Sequence, residues 1–288
     1  MQFIFYGILS ALTIGFANAL SKKPGLKIGA DRLLFFRTIL TCVFLLIVFL
    51  VYGGKYDLPM IGFALLISLL AYAATLAMYH GFTLDKVGLV SPIASTYSVI
   101  TIILSVIFFH VALKSSQIIA ITVILVGVVL INLNLRKKMS LKLFTQSNRG
   151  IVLALITSLA YGIFFFLAQI PTRVLGQYET SFLFELGILI FSLLFLGFQK
   201  KINMLRIPDK ENFLHIFLVA AFTVISVLLF YTGLKSVNYA SIVLALNSSA
   251  PLVVILLGRI LYKEKLSRLQ IFAGLIITAG IVSLSLVS

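Results

Sequence analysis

Ten long apolar runs divide the chain, and short polar connections separate them. Each run has roughly 20 residues or more, enough for a helix to cross the ~30 Å hydrocarbon core of a bilayer. The runs are continuously apolar rather than alternating, which favours helices over barrel strands. Their approximate limits are 2–21, 33–52, 59–84, 87–109, 116–135, 149–170, 180–198, 213–234, 239–261 and 267–287.

The composition excludes a soluble globular domain. Of the 288 residues, 61% are hydrophobic and 11% are charged, and the mean hydropathy is +1.17. A water-soluble fold cannot hide so much apolar surface, whereas a lipid bilayer solvates it. The sequence therefore predicts an all-α integral membrane protein. Its first run is expected to be retained as a helix, because no basic segment precedes it.

The basic residues indicate membrane orientation rather than nucleic-acid binding. Of the 23 Lys and Arg residues, Arg37 and Arg259 lie within spans, and four lie in the connections on one side: Lys55, Lys114, Arg173 and Lys235. The other 17 lie in the connections on the opposite side, which we call the basic face. The rule that positive connections stay in the cytoplasm then predicts that both termini lie outside.

The two halves of the chain resemble each other. Tyr79-His80-Gly81 ends the third run and Tyr231-Thr232-Gly233 ends the eighth, 152 residues later. Further along the chain the offset is 153, and Phe36-Arg37 corresponds to Phe184-Glu185 at an offset of 148. The matches at 153 are Leu113 with Leu266, Gln117 with Gln270, Ala120 with Ala273, and Gly127 with Gly280. A nearly constant offset over several runs indicates an internal repeat.

Five spans in each half is an odd number, so two similar halves must insert in opposite directions. The sequence therefore predicts two inverted five-helix repeats around a central cavity, an arrangement associated with secondary transport. The first repeat is assigned to residues 1–138, a basic linker to 139–148, and the second repeat to 149–288.

The segment from Tyr231 to Gly280 carries a family resemblance. It has an aromatic-x-Gly-Leu start, a small and polar run ending at Ala250-Pro251, the sequence Lys263-Glu264-Lys265-Leu266, and later Gln270, Gly274 and Gly280. The first half repeats it from Tyr79 to Gly127, with His110-Val111-Ala112 in place of Lys-Glu-Lys. In these features the chain resembles the EamA-type ten-span family of the drug/metabolite transporter superfamily.

The resemblance covers nearly the whole chain and implies small-molecule transport through a cavity between the halves. It also implies frequent export of amino acids or other metabolites and a multi-pass location in the plasma membrane. Members of the family are commonly drawn with cytoplasmic termini, which conflicts with the charge distribution. Neither the residues nor the resemblance identifies the cargo, the direction of transport, the coupling ion or the oligomeric state.

Polar side chains at membrane depth are the candidates for a solute site, because only a protein-lined cavity tolerates them. Helical spacing aligns them in the first, third, fourth, sixth, eighth and ninth runs. The residues selected are Asn18, Tyr72, Thr75, Tyr79, Ser95, Ser98, Tyr161, Gln169, Ser226, Tyr231, Asn247 and Ser248. The alternative is close helix packing, which uses the same small and hydroxyl residues and is favoured for any single Ser or Thr.

Two prolines are expected to break the helical ladder. Pro92 lies in the fourth run and Pro251 in the ninth. The carbonyl groups that they free could contact cargo or form a hinge, and a static kink is the alternative.

Three charged residues need separate interpretation. Arg37 and Glu185 occupy equivalent positions near the starts of their runs, where a salt bridge or separate interfacial positions are both plausible, and we favour the interface. Glu185 is the candidate proton carrier. Glu264 is expected to be a structural residue at a helix end.

A secondary transporter of small molecules is the leading hypothesis. Exchange of an anionic metabolite, such as a sugar phosphate or a nucleotide-linked compound, ranks lower because the spans offer few cations. A membrane transferase is the alternative of another class, but the acids are dispersed and no histidine has a local acidic partner. The single Cys42 and three scattered histidines predict no metal site, and we expect no cofactor.

Overall fold

The computed structural model describes residues 2–109, 115–133, 149–199, 206–234, 243, 246–247 and 249–286. Within these residues we number eleven helices, and no strand is present. The first half contains α1 (Gln2–Ile28), α2 (Ala30–Tyr52), α3 (Leu58–Leu84), α4 (Val87–Ala94), α5 (Tyr97–Phe109) and α6 (Ser115–Leu133). The second half contains α7 (Arg149–Leu175), α8 (Gln177–Phe198), α9 (Lys210–Leu234), α10 (Ala250–Tyr262) and α11 (Arg268–Leu286).

Six segments among the described residues are long and apolar enough to cross a bilayer. They are Ala30–Tyr52, Leu58–Leu84, Val87–Phe108, Arg149–Leu175, Gln177–Phe198 and Lys210–Gly233. An all-helical architecture with multiple apolar spans is therefore confirmed, while the count of ten in inverted order stays a prediction. The basic linker at 139–148 lies outside the described residues, as does much of the start of the ninth run.

Two single glycines join consecutive helices. Gly29 separates α1 from α2 with φ 89°, and Gly176 separates α7 from α8 with φ 100°. Glycine adopts such positive φ values without the steric cost that a Cβ imposes. Both helical hairpins are therefore tight, and α2 and α8 begin three residues before the apolar runs that predicted them.

The fourth span, predicted at 87–109 with a break in its helical ladder, consists of the two helices α4 and α5. The interruption is at Thr96, whose backbone N–H and hydroxyl both donate to the carbonyl of Ile93, at 3.2 and 2.8 Å. These bonds divert the chain into a turn between Ala94 and Tyr97. Pro92 lies one turn earlier within α4 and has no N–H to give to the helical ladder.

The ninth span has an interruption at the corresponding place. Ser249 is a turn residue, and its backbone N–H donates to the carbonyl of Leu246 at 3.0 Å. Helix α10 then begins at Ala250, with Pro251 in its first turn, where a missing N–H costs little. Ser249 follows Thr96 by 153 residues, the offset of the sequence repeat.

Helices α6 and α11 pack against each other through two equivalent glycines. A methyl group at Gly127 would lie 2.6 Å from Cγ1 of Ile277, and one at Gly280 would lie 2.7 Å from Cγ1 of Ile124. Gly280 follows Gly127 by 153 residues, and Ile277 follows Ile124 by the same offset. Each helix therefore presents an equivalent surface to the other. Small residues allow such close approach between membrane helices.

A second pair of glycine contacts has the same form. In α1, a methyl group at Gly15 would lie 2.6 Å from Cβ of Val253 in α10. In α7, a methyl group at Gly162 would lie 2.5 Å from Cβ of Ile100 in α5. Each half therefore packs one of its helices against the interrupted span of the other half.

Gly187 in α8 provides the first testable prediction. A methyl group there would overlap Cβ of Ser68 in α3, an atom that cannot rotate away. We expect Gly187→Ala to lower the free energy of unfolding by about 1–3 kcal/mol, because overpacking forces the helices apart. Gly62→Ala on α3 is the control, since its methyl group would meet nothing within 4 Å. Unfolding in mixed micelles measures both, and equal stabilities would contradict the prediction.

Candidate substrate cavity

A cavity lies between described helices of both halves. The volume open to the centres of water-sized spheres is about 140 Å³, far above the ~10–15 Å³ that one water molecule needs. Its aromatic wall consists of Tyr79, Tyr97, Tyr161, Phe164, Phe165, Phe184, Phe230 and Tyr231. Its polar wall consists of Asn18, Arg37, Thr75, Ser91, Ser95, Ser181, Glu185, Thr223, Ser226 and Asn247, and aliphatic side chains complete the lining.

The aromatic wall is continuous across three helices of the second half. Tyr161 and Phe165 of α7 stack with their ring centroids 5.4 Å apart, and Phe165 meets the edge of Phe230 of α9 at 5.5 Å. Tyr231 of α9 lies 5.7 Å from Phe184 of α8. Such contacts fix the rings, so this wall offers a preformed apolar surface.

A hydroxyl pair orients one of the tyrosines. The Oη atom of Tyr161 lies 2.7 Å from Oγ1 of Thr75 in α3, and the Thr75 hydroxyl also donates to the carbonyl of Ala71 at 2.8 Å. Ser226, by contrast, pairs with Ser10 of α1 through its hydroxyl at 2.9 Å. Ser226 therefore borders the cavity while its polar atom serves helix packing.

The ion pair between Arg37 and Glu185 crosses between the halves. Nη1 of Arg37 in α2 donates to Oε1 of Glu185 in α8 at 2.9 Å, and the hydroxyl of Thr41 donates to Oε2 at 2.9 Å. Arg37 is only 3% exposed and Glu185 only 6%. The expectation that these residues lie separately at the membrane interface is therefore wrong. Both side chains are buried between α2 and α8, so each charge needs the other as its partner.

Nine of the predicted residues border this cavity. They are Asn18, Thr75, Tyr79, Ser95, Tyr161, Glu185, Ser226, Tyr231 and Asn247. Ser248 lies outside the described residues, and Pro92 and Pro251 adjoin lining residues without lining the cavity themselves.

Three predicted residues lie elsewhere. Tyr72 packs edge to face against Phe195 of α8, with their ring centroids 5.9 Å apart. Ser98 is fully buried, and its hydroxyl donates to the carbonyl of Ser95 at 3.4 Å. Gln169 accepts a hydrogen bond from Arg173 one helical turn away. The polar groups of Ser98 and Gln169 are therefore hydrogen-bonded locally rather than at the cavity.

Comparison with known proteins identifies the family. The model of the EamA-like transporter family matches residues 1–133 and 148–286. The chain belongs to this family. Twenty-eight chains of solved structures match as well, whereas no curated protein does. One of them, described as "Crystal structure of protein", has a TM-score of 0.69 and 14% sequence identity, covering 97% of this chain and 94% of that chain.

At the basic face of this EamA-like protein, one carboxylate joins the two halves. Glu264, just beyond α10, binds Nζ of Lys22 in α1 at 2.7 Å. It also accepts the backbone N–H groups of Val87 and Gly88 in the first turn of α4, at 3.0 and 3.2 Å. We call these four residues the Glu264 cluster. Glu264 is therefore a helix-end residue, as expected, and it also connects three helices.

The surroundings of the cluster are polar and largely buried. Lys22 donates a second hydrogen bond to the carbonyl of Asp85 at 2.9 Å, and the hydroxyl of Tyr262 donates to the carbonyl of Ala19 at 2.7 Å. Burial raises the pKa of Asp85, while the N–H of Lys86, 2.7 Å from Oδ1, and the Lys22 charge oppose this shift. Together these contacts close the space between α1, α4 and α10 in this EamA-like chain.

Metal chemistry finds no support in the part of the chain that the structure describes. No group of three or more His, Cys, Asp or Glu side chains there could hold a metal ion. Cys42, the single cysteine, is buried within α2. The cavity of this EamA-like chain therefore offers aromatic faces, hydroxyl and amide groups, and one ion pair.

Proposed function

We propose that this EamA-like membrane protein is a secondary transporter that moves small molecules by alternating access. The observation that carries the proposal is the cavity, whose polar and aromatic walls come from both halves at membrane depth. Buried polar groups are costly in a bilayer and are retained chiefly where they face cargo, ions or each other. A cavity that both halves line with polar and aromatic side chains therefore fits a carrier.

The proposed mechanism uses two inverted five-helix repeats, at 1–138 and 149–288 with a linker between them. The equivalent glycine contacts support it, because Gly15 and Gly162, like Gly127 and Gly280, perform the same packing in opposite halves. Two units with the same contacts can exchange conformations, so that the cavity opens first to one side and then to the other. The fourth and ninth spans are interrupted at the equivalent residues Thr96 and Ser249, and we assign the bending of each span to these turns.

The proposed cargo is an amphipathic metabolite, such as an amino acid, that the protein exports across the plasma membrane. Large aromatic faces would bind its apolar body, while hydroxyl and amide groups would fix its polar end. Exchange of a dianionic phosphate fits less well. Within the described lining Arg37 is the one basic residue, and Glu185 already balances its charge.

Proton coupling through Glu185 is part of this proposal. Arg37 is the counter-ion of Glu185 within the described lining of the cavity, and Glu185 would lose it if cargo took its place at Arg37. We therefore assign proton uptake to the step in which cargo enters the cavity. Flux that responds to a pH gradient would support this assignment.

The test is flux of amphipathic metabolites in proteoliposomes. We expect saturable uptake, and we expect Tyr79→Phe, Tyr231→Phe and Asn247→Ala together to raise KM by at least about tenfold, since each removes a polar contact worth ~0.5–1.5 kcal/mol. Tyr56→Phe is the control, because that ring is 82% exposed. Unchanged flux in the triple variant would remove these residues from the site, and non-saturable flux in the parent protein would contradict a carrier.

A further inference from the structure

The guanidinium of Arg37 has unused hydrogen-bonding capacity beside the cavity. Arginine carries five N–H donors in a planar fork. Nη1 contacts Glu185, whereas Nε is shielded from solvent and has no hydrogen-bond partner among the described residues. A buried donor without a partner is costly, so such a group in a native structure calls for a physical explanation. A ligand that accepts a hydrogen bond from Nε of Arg37 would provide this explanation.

Glu185 binds Arg37 through a single contact. One carboxylate oxygen accepts from Nη1, and the other accepts from the Thr41 hydroxyl rather than from the guanidinium. The pair therefore lacks the two parallel N–H···O bonds that make arginine–carboxylate pairs strongest. An incoming carboxylate could form that bidentate arrangement and replace Glu185.

Aromatic rings surround this position. Tyr79 and Tyr161 lie close enough to Arg37 to interact with its charge, and Phe184 is adjacent to Glu185 on α8. A cargo carboxylate at Arg37 would therefore place an attached apolar body against aromatic faces. A charged contact is also stronger in a buried site of low dielectric constant than in bulk water.

We propose that Arg37 is the subsite for a carboxylate group of the cargo, and that Glu185 occupies this subsite when cargo is absent. The proposal rests on the transport function above and adds a residue-level determinant of specificity.

The proposal also has a consequence for the net charge of the cavity. Arg37 and Glu185 are the charged residues in the described lining, and they sum to zero. A bound monocarboxylate adds one negative charge, which a proton taken up with the cargo or an ammonium group of the cargo paired with Glu185 would balance.

The experiment that tests this proposal replaces Glu185, which would compete with a cargo carboxylate for Arg37. In Glu185→Gln the guanidinium keeps its charge and loses its counter-ion, so an external carboxylate should bind more tightly. Using 3-phenylpropanoate as the probe on the purified full chain, we expect Kd to fall by about tenfold or more, because the ligand supplies the missing charge. Thr41→Val, which only loosens Glu185, should lower Kd by about two- to threefold. The neutral 3-phenylpropan-1-ol is the matched control, and its Kd should change little.

The opposite outcomes overturn the proposal. A purely structural ion pair predicts that Glu185→Gln weakens or leaves unchanged the binding of 3-phenylpropanoate. Equal affinities of the acid and the alcohol in the parent protein would also contradict it, as would retained selectivity for the acid in Arg37→Gln. If Arg37→Gln does not fold, the parent, Glu185→Gln and Thr41→Val comparisons still decide. Carrier function is tested separately, since the saturable flux of amphipathic metabolites in proteoliposomes would persist even if Arg37 binds no carboxylate.

Discussion

Exchange of Arg37 for methionine is expected to lower the free energy of unfolding by about 3–5 kcal/mol, because it leaves the Glu185 carboxylate buried without a counter-ion. The two residues are 3% and 6% exposed, so solvent compensates little for the lost partner. Folded protein should still accumulate at low temperature, but the denaturant concentration at the midpoint of its unfolding should be much lower. Denaturant titration in mixed micelles measures the loss.

A double-mutant cycle identifies the cause. Arg37→Met combined with Glu185→Met removes both charges, and we expect it to recover most of the loss, since replacing a whole buried pair by apolar residues is often neutral. The exchanged pair, Arg37→Glu with Glu185→Arg, keeps the charges and should also fold. Additive losses in the methionine pair would mean that the two side chains do not depend on each other.

The sequence offered the Arg37–Glu185 pair as one of two alternatives, and the favoured alternative, separate interfacial positions, was wrong. The offset of 148 residues relates Arg37 to Glu185, and the same offset suggested that they could meet. Hydropathy placed their spans at 33 and 180, which put both charges close to an interface. The helices begin at Ala30 and Gln177, because polar residues fill their first turns. Apolar runs mark where lipid contact begins, and helices extend beyond it.

Residues on one helical face can still lie at different depths. Tyr72, Thr75 and Tyr79 share a face of α3, as their spacing predicted. Thr75 and Tyr79 border the cavity, but Tyr72 lies seven residues before Tyr79, which is about 10 Å along the helix axis. It packs against Phe195 instead. Periodicity gives the angle around a helix, while the position of the cavity along the helix depends on tertiary packing.

The aromatic wall could not be selected from sequence. Phe164, Phe165, Phe184 and Phe230 border the cavity, yet many phenylalanines in this chain face lipid, such as Phe108 and Phe198. Both environments are apolar, so a phenylalanine carries no sequence signal that separates them. Tyrosine does carry one, because its hydroxyl needs a partner, and Tyr79, Tyr161 and Tyr231 were selected as polar side chains at helical spacing. The repeat added a second signal by pairing Tyr79 with Tyr231.

The Glu264 cluster provides the second large expected effect. Glu264→Ala removes the counter-ion of Lys22 and the acceptor of two N–H groups in α4, and its side chain is only 5% exposed. We expect a loss of about 2–4 kcal/mol in unfolding free energy, since buried groups that lose a charged partner bear their full desolvation cost. Glu264→Gln should lose less, because its carbonyl oxygen still accepts from α4. Glu211→Ala is the control, because Glu211 binds Lys23 and Lys27 at an exposed site and its removal should change stability little.

The same change should also open the basic face. The cluster joins α1 and α4 of the first half to the end of α10 in the second, directly beyond the cavity residue Ser91. In a cysteine-free background made by Cys42→Ala, a cysteine at Ser91 would be shielded, since Ser91 is 2% exposed. We expect Glu264→Ala to raise its rate of labelling by a membrane-impermeant maleimide about tenfold when the reagent is added to the basic face, and to change it little from the other face. Equal rates with and without Glu264 would mean that the cluster holds helices together without closing the cavity. Faster labelling from the basic face alone would support the proposed alternating access, with the breaking of this contact as one of its steps. A single carboxylate would then link the packing of the two halves to access to the cavity.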